Sequence, residues 1–440
     1  MKRTLSLAGT TLGIVILAAV SIVVILALRG QQTQPQPIAQ MLQSPIETAT
    51  PAAPAPNPTV AATPIPLCTF TVSATPPDPK QSIDRFSFSE PQVVLTHTAA
   101  IGIAGWLPDS QRILITRDIP GQARQYIETL DSETGKLLPY GERYGFSTKP
   151  IWLAAEQAVA FTDATPDNQI ALRISHGSDK SIENIAGGLA SPNVAASPDG
   201  REFIFFAKEA KERPVSIDIA QTRQEAFPFA LPMMSPEELH AIGQTFGPDP
   251  YRVVLGSNRD RFALFNDTGF FLTDRAAGKI CQVDLGTKDH AQMWAMEAQW
   301  SSNGRYLAIL TTIGDLPIPF AGLTILDIVN SEIVQIDLGV SYIYEITWGG
   351  DNQFLVALGQ IEIVEGTPLF GMYIVDTSSG GFRRILSDHI FSPGVYFYEG
   401  GGLAWSPNEK NILAKCPEWS KTEPTIIEDR LCVIDVGKRP

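Results

Sequence analysis

A short motif recurs along the chain from about residue 100 onward, and its repetition constrains the fold more than any other feature. In each copy an apolar residue precedes a polar turn rich in Pro, Asp, Asn or Gly, and an apolar run follows. This pattern is typical of a strand, a tight turn and a second strand. Seven copies follow one another at intervals of 44 to 59 residues, beginning at Trp106, Trp152, Ala196, Leu255, Trp300, Trp348 and Trp405.

A second pattern falls later in the same units. Strand-like runs end in an acidic residue, pass through a short turn and resume, at Asp131, Asp218, Asp274, Asp327, Asp376 and Asp435. Two hairpins per unit predict a four-stranded antiparallel blade, and blades repeated around an axis predict a propeller. We therefore predict an all-β fold, a seven-bladed β-propeller over residues 84–438. Six or eight blades are the alternatives, because the copy at Leu255 lacks the aromatic residue.

The two ends of the repeat region are complementary. The last unit stops soon after Asp435, with too few residues for a fourth strand, whereas Phe86 to His97 is strand-like and precedes the first unit. We predict that this N-terminal segment supplies the missing strand and closes the ring. Closure would remove exposed strand edges that otherwise pair with other chains.

The turn Ser197-Pro198-Asp199-Gly200, followed by an apolar strand, resembles the repeat of TolB-type, WD-repeat-like propellers. Degenerate copies of the motif begin at Trp300 and Trp405. The resemblance covers residues 84–438, the propeller domain alone, and implies a bacterial source. A Pro-rich tether stands where TolB itself has an α/β domain.

The N-terminal region predicts a membrane anchor. Leu5 to Leu28 are uncharged and would form a helix of about 36 Å, long enough to cross a hydrocarbon core of about 30 Å. Lys2 and Arg3 precede this stretch and only Arg29 follows it, which predicts that residues 1–4 are cytoplasmic and the rest extracytoplasmic. The stretch is longer than the apolar region of a cleaved signal peptide, so we favour an uncleaved anchor.

Residues 31–80 contain twelve prolines among Ala, Thr and Gln. Proline fixes φ and removes amide donors, so this region is predicted to be a disordered, extended tether.

The charge and the motifs exclude several classes of function. The net charge is −14 with no run of basic residues, which argues against nucleic acid. The five histidines are scattered, and neither a Cys-x-x-Cys pair nor a G-x-S-x-G elbow occurs. We therefore predict no metal, no cofactor and no catalytic residue. The predicted partners are a protein or cell-envelope component and, through the N-terminal helix, the membrane.

Polar residues recur three positions before several of the aligned motif starts. On the innermost strands of a propeller they would line the central channel and form a ring for a small ligand or ion. The alternative is that they satisfy one another along a wet tunnel. The candidate channel-lining residues are Lys149, Asn193, Arg252, Glu297 and Glu345.

Three insertions are candidates for an interaction surface, because rigid scaffolds often present binding residues on loops. The main one interrupts the repeat from Phe227 to Pro250, and the others run from Ile361 to Phe370 and from Pro417 to Asp429. Packing over the propeller's own face is the alternative. The candidate interaction residues are Phe227, Phe229, Met233, Met234, Phe246 and Trp419.

Four cysteines suggest disulfides in an oxidising compartment. Cys416 and Cys432 fall on predicted antiparallel neighbours, so we predict a disulfide between them, with two buried thiols as the alternative. Pairing of Cys68 with Cys281 would require the tether to fold back over the propeller, so we favour it less and leave it open.

These observations predict a membrane-anchored, extracytoplasmic binding or scaffolding module. The alternative is a propeller enzyme of lactonase or hydrolase type, with a metal or small ligand in the central channel. In that ring Lys149 and Arg252 would repel a cation.

Overall fold

The computed structural model describes residues 65–72, 83–144, 148–165, 169–177, 182–197, 199–208, 213–219, 223–227, 231, 251–257, 260–266, 269–288, 291–313, 321–364, 367–394, 401–419 and 426–438. All belong to the larger of two compact units, residues 62–440. Every element in this part of the chain is a β-strand. No helix within it is long and apolar enough to cross a membrane. The predicted anchor, Leu5 to Leu28, lies outside the described residues.

Most of the strands are short, and they follow the succession of hairpins predicted from the repeat. In chain order they are β1 (Thr71–Val72), β2 (Phe86–Phe88), β3 (Gln92–His97), β4 (Ile101–Trp106), β5 (Arg112–Asp118), β6 (Arg124–Asp131), β7 (Leu137–Tyr144), β8 (Ile151–Leu153), β9 (Ala158–Ala164), β10 (Ile170–Ser175), β11 (Ile182–Ala196), β12 (Glu202–Ala207), β13 (Pro214–Asp218), β14 (Arg223–Ala226), β15 (Arg252–Leu255), β16 (Arg261–Asn266), β17 (Gly269–Asp274), β18 (Lys279–Val283), β19 (Thr287–Lys288), β20 (Ala291–Trp300), β21 (Tyr306–Ile313), β22 (Ala321–Asp327), β23 (Glu332–Ile336), β24 (Ile343–Trp348), β25 (Phe354–Val364), β26 (Thr367–Asp376), β27 (Phe382–Ile385), β28 (Leu403–Trp405), β29 (Asn411–Lys415), β30 (Glu418–Trp419) and β31 (Ile426–Lys438).

The described strands form six sheets in a propeller-like arrangement. Three are four-stranded meanders: β4 to β7, β15 to β18 and β24 to β27. A seven-stranded sheet runs in order from β8 to β14, and β1 and β19 to β23 form a six-stranded sheet. In the last sheet β28, β29 and β31 are consecutive neighbours. The all-β propeller fold predicted from the repeat is therefore confirmed.

Strand β11 pairs with a different neighbour along each of its two parts. Its first part pairs with β10, from Ile182 opposite Ser175 to Leu189 opposite Ile170. Its second part pairs with β12, ending with Ala196 opposite Phe203. The register shifts between Leu189 and Val194, so the strand changes partner at that point.

The innermost strands contact one another in turn around the axis. The order of these contacts is β11, β15, β20, β24, β28 and β4. The aligned tryptophans reinforce these contacts. The indole Nε1 of Trp300 donates to the carbonyl of Val254 at 3.0 Å, and Trp348 donates in the same way to Gln299 at 2.9 Å. The first bond joins β20 to β15, and the second joins β24 to β20.

The same contact joins the first sheet to the last. Trp106 on β4 donates from its indole Nε1 to the carbonyl of Ala404 on β28, at 3.2 Å. Beside it, the backbones of Ile103 and Gly401 exchange two hydrogen bonds of 2.7 Å each. The first and last sheets are therefore neighbours.

The predicted strand exchange between the termini is confirmed. Both β2 and β3 pair antiparallel with β31, with Phe86 opposite Lys438 and Gln92 opposite Val433. The Phe86 ring is 1% exposed and lies edge-on to Phe354, with ring centroids 4.9 Å apart. The N-terminal segment thus covers the edge of β31 and also fills the core.

The polar turn of the motif owes its shape to side-chain hydrogen bonds. Ser197 Oγ donates to Asp199 Oδ1 at 2.6 Å and accepts from the Glu202 amide at 2.9 Å. Ser301 and Ser406 make the corresponding bonds to Asn303 and Asn408. Short polar side chains stabilise tight turns in this way, which explains the residue types of the repeat.

Residues 65–72 differ from the prediction of a tether running to residue 80. Strand β1 pairs parallel with β23, and the Cys68 amide donates to the Gln282 carbonyl at 2.7 Å. Cys68 and Phe70 pack against the buried cluster that contains Val283 and Ile333. We call residues 65–72 the strap. Its apolar side chains and its cysteine hold it against the sheets in spite of the surrounding prolines.

Candidate functional site

A cavity of about 270 Å³ lies among the innermost strands of four successive strand groups. Its apolar lining includes Val253, Phe265 and Met296. Its polar lining residues are Thr148, Lys149, Asn193, Arg252, Glu297 and Gln299. Four of the five predicted channel residues therefore meet in one cavity. We call it the axial cavity.

The fifth predicted channel residue, Glu345 on β24, is 3% exposed and contacts the cavity residue Lys149. The Lys149 Nζ lies 3.6 Å from Glu345 Oε1. Glu345 Oε2 accepts a hydrogen bond of 2.6 Å from the Gly402 amide. Within the described residues, Oε1 has no hydrogen-bond partner. Lys149 and Glu345 thus form an ion pair between the group of strands that begins at β8 and the sheet that begins at β24.

This ion pair depends on a glycine. A Cβ at Gly401 would lie 1.6 Å from Glu345 Oε1 and 2.8 Å from Lys149 Nζ. Any side chain at this position would therefore displace the carboxylate. Gly401 also bonds through its backbone to Ile103, so the ion pair lies directly beside the closure of the ring.

Glu297 on β20 is the carboxyl group that lines the cavity. Gln299 Nε2 donates to Glu297 Oε1 at 2.9 Å and to the Ile346 carbonyl at 2.9 Å, which fixes the orientation of the carboxyl group. Burial raises the pKa of Glu297, and although Lys149 opposes this effect the nearby Glu345 adds to it. The protonated form of Glu297 is therefore favoured beyond the usual range of a glutamate.

Two cations balance these carboxyl groups. Burial by itself would lower the pKa of Lys149, but the charges of Glu345 and Glu297 outweigh it and the pKa is raised. The ammonium group therefore stays charged. Arg252 donates to the Met296 carbonyl, and its guanidinium carbon lies 5.8 Å from the centroid of the Phe265 ring. These contacts hold the guanidinium at the wall of the cavity.

The sequence does not predict some residues of this site. Gln299 follows Glu297 by two positions, so both side chains lie on the same face of β20, and strand alternation would have indicated it. Thr148 adjoins Lys149 but precedes β8, outside the repeated strand pattern. Gly401 lies within three consecutive glycines, a signal for close backbone approach.

The predicted interaction surface is corrected at Phe227. This residue is 5% exposed and packs edge-on against Phe262, with ring centroids 5.1 Å apart. It is a core residue, because an aromatic side chain gains more from burial between sheets than from exposure at a loop. Phe229, Met233, Met234 and Phe246 lie outside the described residues. Trp419 is half-buried on β30, opposite Ile426 of β31.

All four cysteines form disulfides. Cys416 and Cys432 are joined across the hairpin of the last sheet, with Cα atoms 5.9 Å apart. Cys68 and Cys281 are also joined, with Cα atoms 5.0 Å apart. The sequence analysis favoured the second bond less and left it open, because it requires the strap to lie against β18. Within the described part of the chain, no three His, Cys, Asp or Glu side chains group together as metal ligands would.

No protein-family model and no curated protein matches this sequence. Solved structures do match it. An oligogalacturonate lyase from Vibrio parahaemolyticus is 11% identical with a TM-score of 0.52, over 80% of this chain and 97% of that one. An oligogalacturonate lyase in complex with manganese is 11% identical with a TM-score of 0.49, over 81% and 98% of the two chains.

TolB from Acinetobacter baumannii is 14% identical with a TM-score of 0.42, over 63% of each chain. This chain therefore spans less than two thirds of the length of that protein. TolB proteins are thus among the matching structures, as the repeat motif predicts. At these identities the likeness concerns the β-propeller fold alone.

Proposed function

We propose that this protein is an extracytoplasmic binding module, a seven-bladed propeller that takes part of a protein or cell-envelope partner into its axial cavity. The observation that carries the proposal is the lining of that cavity. Two basic side chains, a carboxyl group and two amides converge there from the innermost strands of four strand groups. A few convergent polar groups in a concave site are typical of ligand recognition.

The strand pairing supports seven blades. If β11 ends one blade and begins the next, the seven-stranded sheet contains two blades that share this strand. The other blades are β4 to β7, β15 to β18, β20 to β23, β24 to β27, and β28, β29 and β31 with β3.

The disulfides support an extracytoplasmic location. Disulfides persist in oxidising compartments and are rare in the cytosol, and all four cysteines of this chain are paired. The predicted helix Leu5 to Leu28 would hold the propeller at the membrane. Alkylation of the denatured protein from a membrane fraction should modify no cysteine unless a reductant is added first. Four reactive thiols would contradict this location.

The binding proposal is tested by photocrosslinking in intact cells that produce the full chain. A photoreactive amino acid replaces Asn193 in the axial cavity or, as the control, the exposed Glu133 in the turn between β6 and β7. We expect a discrete crosslinked product from position 193 and none from position 133. Equal products from both positions, or none from either, would contradict a binding site in the cavity.

A second candidate function is an enzyme that uses Glu297 as a general acid. Its raised pKa in a cavity favours this candidate, since groups with perturbed pKa values cluster at catalytic sites. The structural match to an oligogalacturonate lyase indicates that this fold can carry an enzyme. Metal analysis of the purified full-length protein tests the metal-dependent form. Stoichiometric calcium or manganese would support an enzyme, and its absence would leave only a metal-independent reaction to consider.

A further inference from the structure

We propose that two neighbouring hairpin tips on one face of the propeller form a docking surface for a protein segment in which basic residues flank apolar ones. The first tip is residues 361–369, between the bodies of β25 and β26. The second is residues 416–430, which includes β30 and the start of β31. The described residues of the two tips do not line the axial cavity. The inference therefore concerns a separate surface and goes beyond the proposed function of the cavity.

The two tips lie side by side because one short segment joins their bases. The Phe391 amide donates to the Phe370 carbonyl at the base of the first tip, at 3.0 Å. The next residue, Ser392, donates from its amide to the Lys415 carbonyl at the base of the second tip, also at 3.0 Å. Two strand spacings then separate the bases, which places them roughly 10 Å apart.

Both tips project from the same face. Each continues the second and third strands of its sheet, counted from the axis, and in an antiparallel meander the turns between these strands lie on one side. The first tip stays paired as far as Val364 opposite Thr367, and the second as far as Trp419 opposite Ile426. At about 3.3 Å per residue, they extend roughly 10 Å and 13 Å beyond their bases.

Covalent and ionic bonds across the hairpin hold the second tip in shape. The disulfide between Cys416 and Cys432 lies at its base. Nearer the turn, the guanidinium of Arg430 forms ion pairs with Glu418 and Glu428. A surface that is ordered before its partner arrives loses less conformational entropy on binding. These bonds therefore favour docking at this tip.

Large apolar side chains are exposed at both tips. They are between 39% and 55% exposed, and they are Ile363 and Val364 on the first tip and Ile426 and Ile427 on the second. The half-buried Trp419 lies opposite Ile426. Single exposed apolar residues are ordinary on a protein surface, whereas apolar residues grouped within a polar rim mark interaction sites. The tips therefore offer apolar surface to a partner.

The charge of the tips selects among possible partners. Residues 361–369 and 416–430 contain six acidic and two basic residues, a larger acidic excess than the 47 to 33 of the whole chain. Lys415 compensates one of these carboxylates through its ion pair with Asp429, at 2.7 Å. A segment with lysine or arginine beside its apolar residues complements both the charge and the apolar side chains. An anionic lipid surface, or the same tips of a second copy, would be repelled.

The experiment measures the binding of three short synthetic peptides to the full-length protein in a zwitterionic detergent, by fluorescence anisotropy with protein-free detergent as the blank. The first peptide alternates leucine and lysine, the second has glutamate in place of lysine, and the third has serine in place of leucine. We expect only the first to bind, and more weakly at high salt because salt screens the charges. Equal binding of the first peptide and either of the others, or no binding of any, would overturn the proposal.

The apolar contribution is tested with Ile363→Ser/Ile427→Ser, which removes one exposed apolar side chain from each tip. The affinity for the leucine–lysine peptide should fall by about tenfold or more, because less apolar surface is buried on binding. Leu138→Ser/Val329→Ser is the matched control, since both residues are exposed and lie outside the tips. Thermal unfolding checks that both variants fold. Equal losses in the two variants, or no loss in the first, would overturn the role of the tips.

The charge contribution is tested with Glu362→Lys on the first tip. The affinity for the leucine–lysine peptide should fall by about threefold, the order expected for an exposed ion pair. Glu133→Lys, in the exposed turn between β6 and β7, makes the same change in net charge and should leave the affinity unchanged. The same loss in both variants would mean that the tips themselves do not select a basic partner, and would overturn that part of the proposal.

The occupant of the tips is identified by photocrosslinking in intact cells, with a photoreactive amino acid in place of Ile427 and mass spectrometry of the product. We expect crosslinked peptides in which lysine or arginine flanks apolar residues. Crosslinks to lipid or to a second copy of this chain, or no crosslink at all, would overturn the proposal. Photocrosslinking at position 193 tests the axial cavity independently, so the two failures are distinguishable.

Discussion

At the scale of single residues, the ion pair beside the axis is the feature on which the account most depends. Glu345 is 3% exposed and makes its only close ionic contact within the described residues with Lys149. Breaking a fully buried ion pair by removing one partner costs roughly 3–5 kcal/mol, because the other charge stays uncompensated. The Lys149 side chain is 33% exposed, so solvent reduces the cost here.

Glu345→Gln should therefore destabilise the protein, by less than the roughly 3–5 kcal/mol of a fully buried pair. The glutamine oxygen can still accept from the Gly402 amide, so the change removes mainly the charge. Lys149→Met/Glu345→Gln should be less destabilised than the sum of its two single variants. Urea unfolding of the four proteins measures the coupling between the two positions. Additive losses would contradict a direct interaction.

The raised pKa of Glu297 predicts how the stability of the protein depends on pH. Its pKa is raised in the folded protein, so the folded state binds this proton more tightly than the unfolded state does. The associated stability is present below the ordinary glutamate pKa of 4.5. It is lost as the pH rises through the raised folded value. Glu297→Gln removes this loss.

The melting temperature of Glu297→Gln should match that of the wild type at low pH and exceed it increasingly as the pH rises. Glu362→Gln, which removes an exposed carboxylate on β25, controls for the change in net charge. A wild type that gains stability over Glu297→Gln with rising pH would contradict the raised pKa.

At the scale of elements, the strap links the Pro-rich region to the sheets. Its disulfide, Cys68 to Cys281, spans 213 residues of sequence, whereas Cys416 to Cys432 spans 16. Loop-closure entropy predicts about 3 kcal/mol of stabilisation for a loop of about 15 residues, and more for longer loops. The bond at Cys68 should therefore contribute more, and its local effect should fall on the strap.

Cys68→Ser/Cys281→Ser should speed hydrogen exchange at the β1 amides, because the strap then relies on few backbone bonds and a small apolar contact. Cys416→Ser/Cys432→Ser is the matched control and should leave exchange at β1 unchanged. Exchange mass spectrometry on peptides that cover residues 65–72 measures both. Equal protection in the two variants would contradict a strap held by its disulfide.

The elements that the sequence predicts are those with local signals. Turns such as Ser197 to Gly200 are encoded by neighbouring residues, and the pair Cys416 and Cys432 lies within one hairpin. The sequence predicts neither the pairing of the strap with the sheets nor the burial of Phe227. Both depend on contacts with residues far along the chain, such as Cys281 and Phe262. Four of the candidate channel residues line one cavity because the repeat places equivalent residues at equivalent depths, although the repeat does not reveal which of them pair.

At the scale of the whole molecule, the N-terminal strands β2 and β3 pair with the C-terminal strand β31 and so join the two ends of the propeller domain. Phe86 is 1% exposed and packs against Phe354 and Trp405. Phe86→Ala should destabilise the protein by about 3–5 kcal/mol, since a buried phenylalanine leaves a cavity when it is truncated. Denaturant unfolding measures the loss.

Phe88→Ala is the control, because Phe88 lies on the same strand and is only partly buried. It should cost clearly less. Equal losses would mean that β2 covers an edge without contributing to the core.

We propose that seven blades close into a ring, with Lys149 and Glu345 paired beside the axial cavity. An experimental density map of the full-length protein tests it most directly, because the blades around the axis can be counted in it. We predict seven blades, with β11 shared between the second and third and with β4 contacting β28. A ring of five or six blades, a gap between β4 and β28, or Lys149 turned away from Glu345 would contradict the account.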